Sequence, residues 1–190
     1  ILKALALPAV LGISQAEALG AEGWLARLDA ALAGGLRLIQ LRDKNLPEVE
    51  RLALARAAVR RAQPYGARVL VNGAPALAHA AGAAGVHLDA AAARALDARP
   101  ADCDWLGVSC HDAAELAHAA RLGADFALLS PVLPTATHPG ATTLGWEAFA
   151  ALAGASPMPV YALGGLAAGD VALAQAHGAH GVALLRGAWA

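Results

Sequence analysis

Apolar and polar positions along this chain switch between two patterns. In one, four to seven consecutive residues are nearly all aliphatic, bounded by Gly, Pro or polar residues, as in strands buried on both faces. Such runs predict eight strands, at 9–13, 36–42, 68–72, 85–89, 105–110, 126–130, 159–163 and 181–185. In the other, Ala-rich stretches carry charges at helical spacing, predicting helices at 16–33, 48–63, 75–81, 91–97, 112–121, 146–153 and 169–177. The junction between them repeats. HAAGAAGVHL (79–88), ARLGADFALL (120–129) and QAHGAHGVALL (175–185) each read as helix end, Gly turn and buried strand, and ALAGGLRLIQL (31–41) is a looser copy.

Strict alternation of strand and helix implies parallel strands joined by right-handed crossovers. Eight such units predict an α/β fold of one domain over residues 1–190: a small (β/α)8 TIM barrel. An open doubly wound sheet alternates in the same way and is the competing fold. Few residues follow strand eight, so the last helix is expected to be short or missing. Its absence should leave an apolar groove, covered by the N-terminal segment or by a second subunit in a homodimer.

Composition narrows the function classes. Hydrophobic residues make up 58% but aromatic ones only 4%, so the core is aliphatic. A net charge of −1 gives no basic surface for nucleic acid. Mean hydropathy is high, at +0.49, yet Arg, Asp, His or Pro interrupts every apolar run before the ~18–20 residues of a membrane span. Extended chain between Cys103 and Cys110 would cover about 23 Å, at ~3.3 Å per residue, far beyond disulfide reach. Two free thiols suit a cytoplasmic protein. Cys110 and His111 are adjacent on a strand and face opposite ways, against a shared metal.

Both candidate folds bind ligands at the carboxyl ends of their strands, and the polar residues gather there. Strand two runs into Gln40, Arg42 and Lys44, strand three into Asn72-Gly73, strand four into His87 and Asp89, and strand five into Ser109 and His111. Residues two apart share a strand face, so Gln40 with Arg42, His87 with Asp89, and Ser109 with His111 are expected to converge on the barrel mouth. His87 reads equally well as a core histidine. Strand six leads into a long loop bearing Thr135, Thr137 and His138, and long loops at this rim are often functional. Gly164, Gly165, Arg186 and Gly187 follow strands seven and eight, where backbone amides of such barrels cradle phosphate. His79, His118 and His177 fall on helices and His180 on the opposite rim, which makes them structural.

The segments IQLRDKN, VNG, GVHL, GVSCHDAAELAHAARLGADFALLSPVLPTATHPG, GWEAF, PVYALGGL and GAHGVALL, in this order, resemble the thiamine phosphate synthase/TenI superfamily of (β/α)8 barrels. The resemblance offers two activities. The synthase branch couples a pyrimidine pyrophosphate to a thiazole phosphate with Mg2+. It carries Asn-Asp after strand three, an aspartate five residues after the strand-four histidine, and Thr-x-Thr-Lys after strand six. Here those places hold Asn72-Gly73, Ala92 and Thr135-Ala136-Thr137-His138. The TenI-like branch, thiazole tautomerases, has Asn-Gly after strand three and a histidine after the strand-five Ser-x, as in Asn72-Gly73 and Ser109-Cys110-His111. The resemblance therefore implies a metal-free isomerase of thiamine biosynthesis acting on a thiazole carboxylate phosphate, with no cofactor. His111 is its acid–base residue, since an imidazole both takes and gives a proton near neutral pH. Gly164, Gly165 and Gly187 would hold the phosphate. Arg42 and Lys44 would meet its carboxylate or phosphate, and Arg186 would add a phosphate contact or block the pocket. The alternatives are the synthase itself, with Mg2+, and a non-catalytic phosphate-binding domain. TenI-like domains also occur behind Nudix hydrolase domains, and the Ile1 start with its LKALALP lead-in suggests such a junction.

Overall fold

The computed structural model describes residues 7–135, 140 and 142–189. Eight parallel strands close into a barrel in sequence order: β1 (Val10–Ile13), β2 (Leu38–Leu41), β3 (Arg68–Asn72), β4 (Gly85–Leu88), β5 (Trp105–Cys110), β6 (Phe126–Leu129), β7 (Val160–Leu163) and β8 (Gly181–Leu184). The register of β1 on β8, with Val10 opposite Val182 and Gly12 opposite Leu184, completes the ring and excludes the open sheet.

Helices α1 (Ala16–Leu19), α2 (Ala21–Ala33), α3 (Glu48–Ala62), α4 (Pro75–Ala81), α5 (Ala90–Arg94), α6 (Ala113–Arg121), α7 (Gly145–Gly154) and α8 (Val171–Ala176) surround it. The stretch expected as one helix over 16–33 is two, because Gly20 adopts φ 71° between them, outside the helical region. The repeated Gly turns behave as the repeat implies: Gly82, Gly123 and Gly178 all have positive φ after a helix. Asp89 and Asp112 cap α5 and α6 by accepting from the backbone N–H of Ala92 and Glu115.

Period-two geometry sorts the strand residues into two cores. Outward side chains such as Ile39, Val71, Val108 and Cys110 pack under the helices. Inward ones stack by depth. Leu38, Leu70, Trp105, Phe126 and Tyr161 fill the amino half of the barrel, with His87 of β4 against the Phe126 ring, while Gln40, Asn72 and Ser109 follow two positions or more further along their strands. Gly107 makes this filling possible: a Cβ there would lie 2.6 Å from both the Phe126 ring and His87 Nδ1. Leu7 and Pro8 close the amino end, their carbonyls accepting from His180 Nε2 at 2.9 Å and Tyr161 Oη at 2.5 Å. His180 is thus structural, as its position on that rim implies.

No helix follows β8 among the described residues. The groove expected in its place is filled from an unexpected side. After β8 the chain turns through 186–189 and lays Trp189 over β1, 3% exposed. Its indole Nε1 donates to Ile13 O at 2.7 Å, its ring meets Trp24 of α2 edge-on at 5.5 Å, and Arg27 holds its carbonyl. Among the described residues no helix is long and apolar enough to cross a membrane.

Candidate active site

The carboxyl ends of the strands surround a cavity of about 640 Å³. The predicted residues meet there. Gln40, Arg42 and Lys44 come from β2 and its loop, Asn72 from β3, and Ser109 and His111 from β5. Thr135 follows β6, Gly164 and Gly165 follow β7, and Arg186 and Gly187 follow β8. Thr137 and His138 lie outside the described residues. Asp89 and Ser130 also line the wall.

The β7 and β8 loops supply backbone donors. Gly165 has φ 70°, and a Cβ on it would stand 2.6 Å from Pro134 O, so the turn tolerates no side chain where it meets the β6 loop. The amides of Gly165 and Gly187 donate to no backbone acceptor among the described residues. Backbone amides without an acceptor beside an arginine are the elements from which anion-binding concavities are built. Gln40, 2% exposed, has Oε1 buried without a partner among the described residues.

His87 does not line the cavity. It is fully buried behind Ser109, with Nε2 and Ser109 Oγ 2.8 Å apart. Burial first, then the charges of Arg42 and Lys44, lowers its pKa to about 3, so the ring is neutral near pH 7. We assign the proton to Nε2. Nδ1, which has no partner among the described residues, is then a bare acceptor rather than an orphan N–H. The Ser109 hydroxyl proton is consequently free to face the ligand. The unfolded chain protonates this ring below about pH 6.5, the folded chain only near pH 3. Stability should therefore fall as pH drops through that window, by about 2 kcal/mol between pH 7 and pH 5. Urea unfolding at the two pH values measures this, and His87→Gln should flatten the dependence.

His111 stands at the rim with its side chain 53% exposed. Glu115, one turn into α6, takes both of its near donors: Oε2 accepts from the His111 backbone N–H at 2.8 Å and from Nδ1 at 2.9 Å. Arg94 of α5 binds the other carboxylate oxygen. A proton donated from Nδ1 to a carboxylate leaves the Nε2 lone pair to act as the base. Sequence reasoning missed Glu115. Its signal was the Asp112-Ala113-Ala114-Glu115 spacing, a capping pattern at a helix start, whose glutamate here reaches back one residue further, to His111.

Mg2+, which the synthase branch uses, takes hard oxygen ligands. The carboxylates nearest the cavity are otherwise engaged: Asp89 by Lys44 and Ala92 N, Asp43 by Ser14 and Glu17 N, Glu115 by His111 and Arg94. Gly73 and Ala92 bring no side-chain oxygen, and no group of three or more potential ligands occurs among the described residues. This donor set does not fit the ion.

Comparison with known proteins places the molecule in context. The pattern of the family described as thiamine monophosphate synthase matches residues 10–188. A thiamine-phosphate synthase of Myxococcus xanthus is 40% identical over 157 residues, 81% of this chain and 72% of that one. A protein of the same name from Thioalkalivibrio sulfidiphilus is 38% identical over 171 residues, 87% of this chain and 80% of that one. Among solved structures, a thiamine phosphate pyrophosphorylase from Pyrococcus furiosus superposes with a TM-score of 0.77 over 93% of this chain and 84% of that chain. At 24% identity that likeness speaks for the barrel alone.

Proposed function

The chain belongs to the thiamine monophosphate synthase family, and on that premise we propose that its rim binds a phosphorylated thiazole and that His111 moves a proton on the ring: a thiazole tautomerase. The observation that carries this reading is the Arg94–Glu115–His111 relay, which leaves one imidazole nitrogen as a base at the cavity. Nε2 takes a proton from one ring position, the imidazolium is held by the Glu115 carboxylate, and the proton returns at another position to leave an aromatic ring. The amides of Gly165 and Gly187 and the Arg186 guanidinium suit the phosphate; Arg42 suits the carboxylate.

A second reading is the coupling of a pyrimidine pyrophosphate with a thiazole phosphate. The names of the relatives support it more than they support tautomerisation. Against it stand the engaged carboxylates, since the departing pyrophosphate needs its charge neutralised. One pair of assays separates the two. On the first reading the non-aromatic thiazole carboxylate phosphate gains the absorbance of an aromatic thiazole without added metal. Mg2+-dependent formation of the coupled product, with no aromatisation, would overturn that reading in favour of the second. Saturable binding with no conversion in either assay would leave the domain a phosphate-binding module, as a fusion behind a Nudix hydrolase domain would suit.

A further inference from the structure

Three cationic side chains among the described residues line the cavity, and one of them is already paired. Lys44 Nζ lies 2.5 Å from Asp89 Oδ2. The two residues follow β2 and β4, so their ion pair passes over the end of β3. Asp89 is the fixed partner. Its other oxygen accepts from Ala92 N at 2.8 Å as the cap of α5, which aims the carboxylate before the lysine arrives. Arg42 and Arg186, by contrast, pair with no carboxylate among the described residues.

The charge count then decides what fits. With Lys44 cancelled, the wall offers two uncompensated guanidinium groups and free amides. A phosphate monoester carries about −1.5 to −2 near pH 7, which two cations balance. A diphosphate ester carries about one charge more, and the cation that would meet it is held by Asp89. We propose that Asp89 is a selectivity residue: by engaging Lys44 it tunes the cavity to a single phosphate and against a diphosphate. This rests on the proposed function only in taking the rim as an anion site.

Asp89→Asn removes the charge and keeps a good helix cap; Asp89→Ser does the same with a different side chain and guards against a folding defect in either one. Calorimetric titration of the full chain with inorganic phosphate and with inorganic pyrophosphate gives the ratio of the two affinities. In both variants pyrophosphate should gain on phosphate by roughly fivefold, the scale of an exposed ion pair. The gain should vanish when Lys44→Gln is added, because Lys44 is the group released. An unchanged ratio in the Asp89 variants, with phosphate still bound, overturns the role of Asp89 and leaves the anion site standing. A gain that survives Lys44→Gln also overturns it, since diffuse charge would then suffice. If neither anion binds wild type or variants, the anion site itself fails, and this inference with it.

Discussion

On the proposed tautomerase reading, turnover of the thiazole carboxylate phosphate should fall by roughly two to four orders of magnitude in His111→Asn, the usual scale for removing a positioned acid–base group. Asparagine keeps a polar side chain at an exposed rim position but has no nitrogen that exchanges protons near neutral pH. The fold should not notice: His111 is half exposed, and the Glu115 carboxylate keeps its bonds to Arg94 and to the residue-111 amide. Phosphate affinity should also stay within about twofold, because the amides proposed to hold the anion lie across the cavity on the β7 and β8 loops. Glu115→Gln tests the relay separately. It retains the length of the side chain and loses the charge that supports an imidazolium, so kcat should drop by roughly tenfold with KM unchanged. Single-turnover rates and phosphate titration read both variants. A His111→Asn enzyme that turns over at the wild-type rate would remove proton transfer from this residue.

The sequence pattern reveals one kind of structure well and another poorly, and the residues at the rim show why. Strand and helix follow from the period of apolar positions, a local property, and so does the convergence of Gln40, Arg42, Ser109 and His111: a strand face repeats every two residues, and parallel strands end together. Depth is harder to read. His87 and Asp89 share a face two residues apart, yet that single step of about 7 Å takes the chain from the sealed barrel interior to the cavity wall. Only the register of β4 against β5 tells which of them is submerged. Ion pairs are harder still. Lys44 meets Asp89 across 45 positions and Arg94 meets Glu115 across 21, each pair joining different strand–helix units, and nothing in one unit's pattern names its partner in the next. The strand-eight end gave a similar surprise. That few residues of this sequence follow β8 was legible, but not that one tryptophan among them would lie over β1.

That tryptophan is the most exposed weakness of the barrel seam. Trp189→Ala should cost about 3–5 kcal/mol, the range for emptying a buried aromatic site, because the indole fills the space between β1 and α2. The indole contributes in three ways at once. Its ring occupies the volume beside Gly12, where a Cβ would come within 3.0 Å of it; its edge meets Trp24; and its N–H satisfies Ile13 O. Trp189→Phe separates these by keeping most of the ring and losing the donor, and should cost about 1–3 kcal/mol for the stranded carbonyl. Urea unfolding of both variants gives the two numbers, and the alanine variant should melt roughly 6–20 °C lower at 2–4 °C per kcal/mol. The effect should reach the site as well. Ile13 lines the cavity, and β1 joins β8 to β2, the strands whose loops carry Arg186 and Arg42. Loosening that seam lets the two guanidinium groups drift apart, so the alanine variant should bind phosphate more weakly even well below its melting temperature. A loss of stability under 1 kcal/mol would mean that the outer face of β1 is sealed by something other than Trp189.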